Sequence, residues 1–169
     1  CKFEEVAYLI LNGDLPNSKE LKKFEKEERK DRKLSKSLIK IIKEMPRKSH
    51  PMDVARTAVS VMGLEDKETQ DSSPEANMRK ALRIFAKTPT ALAAFYRIRK
   101  GKKIIKPKKN LTFAENFFYM CFGKVPQKEI VKAFDVSLIL YAEHSFNVST
   151  FTARTITSSL SDFHGAITG

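Results

Sequence analysis

The chain has 169 residues, 41% of them hydrophobic and 31% charged, which is enough apolar material for one domain with its own core. That balance excludes a disordered chain, and no apolar run approaches the roughly 20 residues of a membrane-spanning helix. The net charge of +12 makes nucleic acid a partner to be weighed, while two cysteines, Cys1 and Cys121, are too few for a disulfide framework or a zinc site and fit a reducing compartment.

Phe3, Val6, Ala7, Leu9, Ile10 and Leu11 form an apolar helical pattern that Gly13 stops. After a turn at Leu15-Pro16, Asn17 or Ser18 is a good N-cap with Glu20 just behind it. A highly charged helix then runs to about Lys33, with Leu21 and Phe24 inward. Lysines crowd Lys19 to Lys48, but Glu20, Glu25, Glu27, Glu28 and Asp31 are interleaved with them, the mixture of a solvated helix face. Leu34 to Met45 is an amphipathic helix with Leu38, Ile41, Ile42 and Met45 on one face, ended by Pro46. The next starts at Ser49-His50-Pro51, with His50 read as a cap and Pro51 as the first helical residue. Its Val54, Ala55, Ala58, Val59, Val61 and Met62 wrap nearly all round, which predicts burial on several sides.

Glu65 to Ser73 is a polar loop, and Ser73-Pro74-Glu75 starts a helix through Met78, Leu82, Ile84 and Phe85. Pro89 predicts a kink or a new start at Thr88-Pro89, after which Leu92, Phe95, Tyr96 and Ile98 resume the stripe. A basic loop over 99–110 follows. Thr112 caps a helix whose Phe113, Phe117, Phe118, Met120 and Phe122 are expected in the core, and Gly123 ends it. Pro126 opens a long helix that arrives at His144, and the segment from Ser149 to Gly169 is rich in small residues with a break and re-cap at Ser161-Asp162. With no sustained alternation and no internal repeat, the fold class is all-α, with seven to nine helices.

Charge is unevenly spread. Residues 1–109 hold 28 of the 32 Lys and Arg and 15 of the 20 Asp and Glu, a balance of +13, and residues 110–169 carry −1. The purest cluster runs from Arg97 to Lys103 and on to Lys108-Lys109; it carries no recognised nucleic-acid motif and reads as a solvated loop before a DNA or RNA site. A basic helical adaptor for nucleic acid stays as the alternative from another functional class.

The stretch from Asp135 to Arg154 carries the candidate chemistry. An apolar helical run delivers Glu143 and His144, Ser145-Phe146-Asn147 breaks it, and a second helix begins near Ser149-Thr150. The negative dipole end of the first helix favours a protonated His144, and the free N–H groups at Ser149 to Phe151 suit an anion's oxygens, a plausible pocket for a small carboxylate. A plain junction histidine is the competing reading. Nucleophile elbow, glycine-rich phosphate loop, metal-ligand cluster and thiol pair are all absent, and His50, His144 and His164 are too far apart in sequence to be called one site.

The segment Tyr141-Ala-Glu-His144-Ser-Phe-Asn147-Val-Ser-Thr-Phe-Thr-Ala-Arg154 resembles the citrate synthase family, and within it the 2-methylcitrate synthase branch. Phe3-Glu-Glu-Val-Ala with Gly13 and Leu15-Pro16, Ser49-His-Pro-Met-Asp53 with Arg56-Thr57, Ser73-Pro-Glu-Ala-Asn77, and Phe117, Tyr119 and Met120 with Gly123 agree in order and spacing. The resemblance implies condensation of acetyl-CoA or propionyl-CoA, used as substrate and with no bound cofactor or metal, with oxaloacetate. It implies that His144 binds oxaloacetate, that Asn147 shapes the same loop, and that the subunit is a homodimer meeting through helices at 52–62 and 149–160. It places the chain in the cytoplasm, or in the mitochondrial matrix if eukaryotic, with no membrane partner.

On the same resemblance, residues 1–169 are part of the family's large helical domain, cut at both ends. The small domain, the C-terminal part of the large domain, two catalytic histidines and a catalytic aspartate are expected beyond Gly169, so no catalytic residue falls in this chain and the piece alone should not turn over. A non-catalytic homologue stays open. Ser145 stands where glutamate is common and His164 where tyrosine often sits, which leaves the acyl preference open, though Tyr141 favours the methylcitrate branch.

Overall fold

Six of the nine helices begin where a side chain accepts from their first free N–H groups. The structure, a computed structural model, describes every residue from Cys1 to Gly169 and contains nine helices and no strand. α1 (Phe3–Asn12) ends at Gly13, whose φ of +91° only glycine adopts without strain and whose N–H donates to the Leu9 carbonyl at 2.8 Å. α2 (Ser18–Asp31) is opened by Asn17, which accepts from the N–H groups of Lys19 and Glu20, while the Glu20 carboxylate accepts the Asn17 N–H at 2.8 Å. α3 (Lys36–Glu44) is capped by Ser35, two residues after its expected start at Leu34, and α4 (Pro51–Glu65) by the His50 Nδ1, which accepts from the Met52 N–H at 3.2 Å.

α5 (Pro74–Arg99) is one helix of 26 residues, about 39 Å long at 1.5 Å per residue. Pro89 sits inside it and starts no new helix. The buried Ala86, Thr90, Ala91, Ala93, Ala94 and Phe95 on both sides of the proline hold the axis against its neighbours, so packing overrides the missing N–H. α6 (Phe113–Phe122) carries a reciprocal cap: Thr112 Oγ1 accepts the Glu115 N–H at 3.3 Å, and Glu115 accepts the Thr112 N–H at 2.9 Å. Thr112→Ala is expected to cost about 1 kcal/mol in thermal unfolding, the usual worth of an N-cap; an unchanged melting temperature would mean that the Phe113 N–H bond to Glu4 suffices to start the helix. α7 (Lys128–Ala142), α8 (Val148–Thr157) and α9 (Phe163–Thr168) complete the chain, the last capped by Asp162 as its sequence predicts.

α5 is the spine, touching α2, α3, α4 and α6. Leu38 and Ile42 from α3, Val54 and Ala58 from α4, and Ala94 and Phe95 from α5 make the principal apolar core. Phe3, Phe24, Phe85 and Phe113 form a second, with ring centroids 4.7 to 6.2 Å apart, that joins α1, α2, α5 and α6. Phe134 brings α7 onto Phe117 and Phe118 of α6 at 5.5 and 5.0 Å.

Two expectations need correction. The α6 aromatics are half-buried and Phe122 is exposed; the residues of α6 that are fully buried are Ala114, Asn116, Met120 and Cys121, of which Met120 is as expected and packs with Cys121 on Ala93 of α5. α4 is buried on the sides that meet α3, α5 and α9, as its sequence predicts, and exposes Arg56, Thr57, Ser60 and Leu64 on the remaining face. On α2, Glu28 and Arg32 are interior and not part of a solvated face. The Arg32 guanidinium binds Glu28 through Nε and Nη2 and donates from Nη1 to the carbonyls of Lys108 and Leu111 at 2.8 and 2.9 Å.

That last set ties down the basic loop. Arg97 likewise spends its guanidinium on the carbonyls of Lys103 and Cys121, and the Lys108 ammonium sits 4.3 Å over the Tyr119 ring. Arg97 and Lys108 are thus engaged inside the chain, while Lys100, Lys102, Lys103, Lys106 and Lys109 are exposed. Burial pushes the Cys121 thiol up to about 11, which leaves it unreactive near neutral pH. No helix is long and apolar enough to cross a membrane.

Candidate functional site

The backbone between α7 and α8 turns in five residues. α7 stops at Ala142, Glu143 is extended, and Ser145 and Phe146 take left-handed φ values of +65° and +54° before α8 starts at Val148. The Glu143 carboxylate accepts the Ser145 N–H at 2.6 Å and so folds the turn. Two successive non-glycine residues at positive φ cost on the order of 1–3 kcal/mol each and concentrate at functional positions.

The elbow brings together the two residues singled out in the sequence. His144 is exposed, at the C-terminal end of α7; Asn147 is the N-cap residue of α8, and its side-chain Oδ1 is enclosed with no hydrogen-bond partner. The Phe151 N–H is already taken by the Asn147 carbonyl at 3.2 Å, so the unspent donors of α8 are those of Val148, Ser149 and Thr150, one residue earlier than the sequence places them. An imidazole, an amide oxygen and three free N–H groups thus lie within seven residues around a strained turn. The expected enclosure is missing. α7 and α8 bury no residue, Phe146 is wholly exposed, and Leu140, Tyr141, Val148 and Phe151 are all exposed as well.

The burial of a second titratable group is not foreseen in the sequence. His164, on α9, is 3% exposed, packs against Gly63 of α4 and borders a cleft of about 410 Å³ with Asp66, Glu68 and Arg83. Burial pushes its imidazole below the usual histidine range, outweighing the opposing pull of Asp66 and Asp162. Burial would raise Asp66, but the Glu68 N–H and the bidentate Arg83 hold it below the usual carboxylate range. A lone histidine two residues after an N-cap aspartate carries no sequence signal for burial; only the packing of α9 on α4 creates it.

The family model for citrate synthase, C-terminal domain, matches residues 1–169. The chain is 46% identical, over all of its length, to 2-methylcitrate synthase of Mycobacterium tuberculosis, covering 42% of that protein. It is 47% identical to citrate synthase of Mycolicibacterium smegmatis over 99% of the chain and 44% of the relative. Among solved structures, citrate synthase from Pyrobaculum aerophilum superposes with a TM-score of 0.92 at 34% identity, and the ternary complex of carboxymethyl coenzyme A and oxaloacetate with citrate synthase from Thermoplasma acidophilum with 0.92 at 28%; each is matched over 99% of this chain and 44% of its own. The chain therefore spans less than half the length of the relatives it matches. The nine-helix order, the match along every residue and the His144 elbow converge on one conclusion: this chain belongs to the citrate synthase family.

Proposed function

We propose that the complete protein carrying this chain condenses an acyl-CoA with oxaloacetate, and that His144 and Asn147 belong to its oxaloacetate site. The α-carbon of the thioester gives up a proton and attacks the keto carbon of oxaloacetate; hydrolysis of the thioester then releases free CoA with citrate from acetyl-CoA or 2-methylcitrate from propionyl-CoA. The observation that carries the reading is the elbow itself, set within a family match that runs the length of the chain. An imidazole N–H of His144 donates to the keto oxygen and favours the negative charge that builds there as the carbon–carbon bond forms. The free N–H groups of Val148, Ser149 and Thr150, at the positive end of the α8 dipole, suit a carboxylate.

Residues 1–169 belong, on this reading, to the large helical domain, with the proton-abstracting aspartate and the two catalytic histidines in the rest of the protein. The chain alone is then inactive. A second copy of the subunit is the partner that closes the elbow, since Tyr141, Val148 and Phe151 form an exposed apolar surface around it. The bacterial source of the relatives supports a cytoplasmic enzyme, or a matrix one in a eukaryote.

His144→Ala in the complete protein is expected to weaken oxaloacetate binding by about 2–5 kcal/mol, the loss when one partner of a buried charged hydrogen bond is removed. Steady-state kinetics with acetyl-CoA and propionyl-CoA, following CoA release, reads it. An unchanged requirement for oxaloacetate, or no CoA release from either thioester, overturns the proposal.

A further inference from the structure

After Cys121, His164 is the one residue of the chain that is fully buried. α8 packs on α9, and α9 packs on α4, so the α8 end of the elbow is fastened to the α3–α4–α5 core through the helix that carries His164. The contact is close: a Cβ on Gly63 would come within 2.9 Å of both Cβ and Cγ of His164. We propose that His164 is a positioning residue, a pin that seats α8–α9 on α4, and that the pin is released when its imidazole takes up a proton. As a statement about the oxaloacetate site this rests on the function proposed above; as a statement about docking it does not.

The imidazole is seated without a hydrogen bond. Nδ1 is enclosed and unpartnered. The nearest carboxylates, Asp162 Oδ1 to Nδ1 and Asp66 Oδ2 to Nε2, are each 3.9 Å away, beyond hydrogen-bonding reach. Both are committed elsewhere. Asp162 accepts the His164 and Gly165 N–H groups as the cap of α9, and Asp66 holds Arg83 at 2.8 and 2.9 Å. From α5, Lys80 and Arg83 face the ring with positive charge. Around the cleft, Glu65 and Glu68 are matched by Lys67 and Lys87, and Arg154, the charged residue of α8, lines a different depression. A neutral ring fits this place; a cation there gives up hydration for two distant carboxylates and meets two cations.

The direction follows. The docked form holds the imidazole neutral and binds its proton less well than the undocked form, in which the ring titrates normally. Docking is therefore complete above the ordinary histidine range and weakens as pH falls through it. Whatever hold on the proton is lost in the docked form returns as an equal loss of docking once both forms are titrated. The consequence for function is that Asn147 and the free N–H groups of α8 shift when α9 slips, so the site for oxaloacetate loosens on acidification.

The test uses the complete protein and two variants. Hydrogen exchange, corrected for the intrinsic rate, is followed at the amides of residues 148–168 between about pH 8 and pH 6. Protection is expected to fall as pH is lowered in the unsubstituted protein, to stay flat in His164→Phe, whose neutral ring can fill the seat, and to be low at both pH values in Gly63→Ala, whose methyl displaces the ring. The KM for oxaloacetate should rise along with the loss of protection, kcat holding steady, and His164→Phe should remove that rise. Equal pH dependence with and without the imidazole, or protection in the unsubstituted protein that ignores pH, overturns the pin. Should exchange behave as expected while oxaloacetate binding is indifferent to both His164 and His144, the pin stands and the assignment of the elbow to oxaloacetate fails.

Discussion

Arg32→Ala is expected to cost about 3–5 kcal/mol of folding stability, because it leaves a buried carboxylate without its counter-ion. Glu28 is 1% exposed and receives both Nε and Nη2 of Arg32 at 2.7 to 3.0 Å. Burial already pushes its carboxyl above the usual range, against the hydrogen bonds and charge of Arg32, and the neighbouring Glu4 adds to the push. The substitution also strips the carbonyls of Lys108 and Leu111 of their donor, each about 1–3 kcal/mol if no water replaces it. The defect has a pH signature. Without Arg32, Glu28 takes up a proton in the folded state at a pH where the unfolded chain remains ionised, so the variant gains stability relative to its parent as pH falls. Urea unfolding at several pH values reads both effects. A loss that is small and independent of pH would place Glu28 in water and remove the pair from the structural core.

What the sequence reveals of this fold is mostly its punctuation. Gly13, Asn17, Pro51, Ser73, Thr112 and Asp162 mark helix ends through local chemistry, each needing only its own neighbours, and each stands where the structure has it. The elbow around His144 and Asn147 was legible for the same reason, as a break between two helical patterns, and the family resemblance attached a chemistry to it. The failures share a different cause. Nothing within a few residues of Glu28 and Arg32 distinguishes them from the other charges of α2; they are interior because Glu4 and the loop ending at Leu111 arrive from elsewhere in the chain. Pro89 breaks a helix by local rules, and α5 continues because its two flanks are packed. Leu140, Tyr141, Val148 and Phe151 of α7 and α8 match the pattern of a core, yet lie exposed on this chain, their cover being a matter of what meets them. Burial is set by contacts distant in sequence, and those a pattern of three and four cannot express.

Phe95→Ala is expected to remove about 3–5 kcal/mol, the range for deleting a fully buried phenyl ring. Phe95 is 1% exposed and lies on α5 beyond Pro89, within the cluster that joins α3, α4 and α5. Transfer of the ring to water accounts for about 1.5–3 kcal/mol, and the rest is the cavity left among Leu38, Ile42 and Val54, which helices of this length cannot close by shifting together. Loss of the Arg99 guanidinium stacked 5.7 Å over the ring adds no more than about 0.5–1 kcal/mol at an exposed site, so packing decides the outcome. Phe95→Leu, which keeps most of the volume, should cost less than half as much. Thermal unfolding of the two variants makes the comparison, and near-equal losses would show that the ring's charge contact, and not its bulk, is what α5 needs there. Because α4 is held on that same cluster while its Gly63 seats His164, a loss confined to stability, with protection of α9 unchanged below the melting transition, would separate the strength of the core from the seating of the elbow.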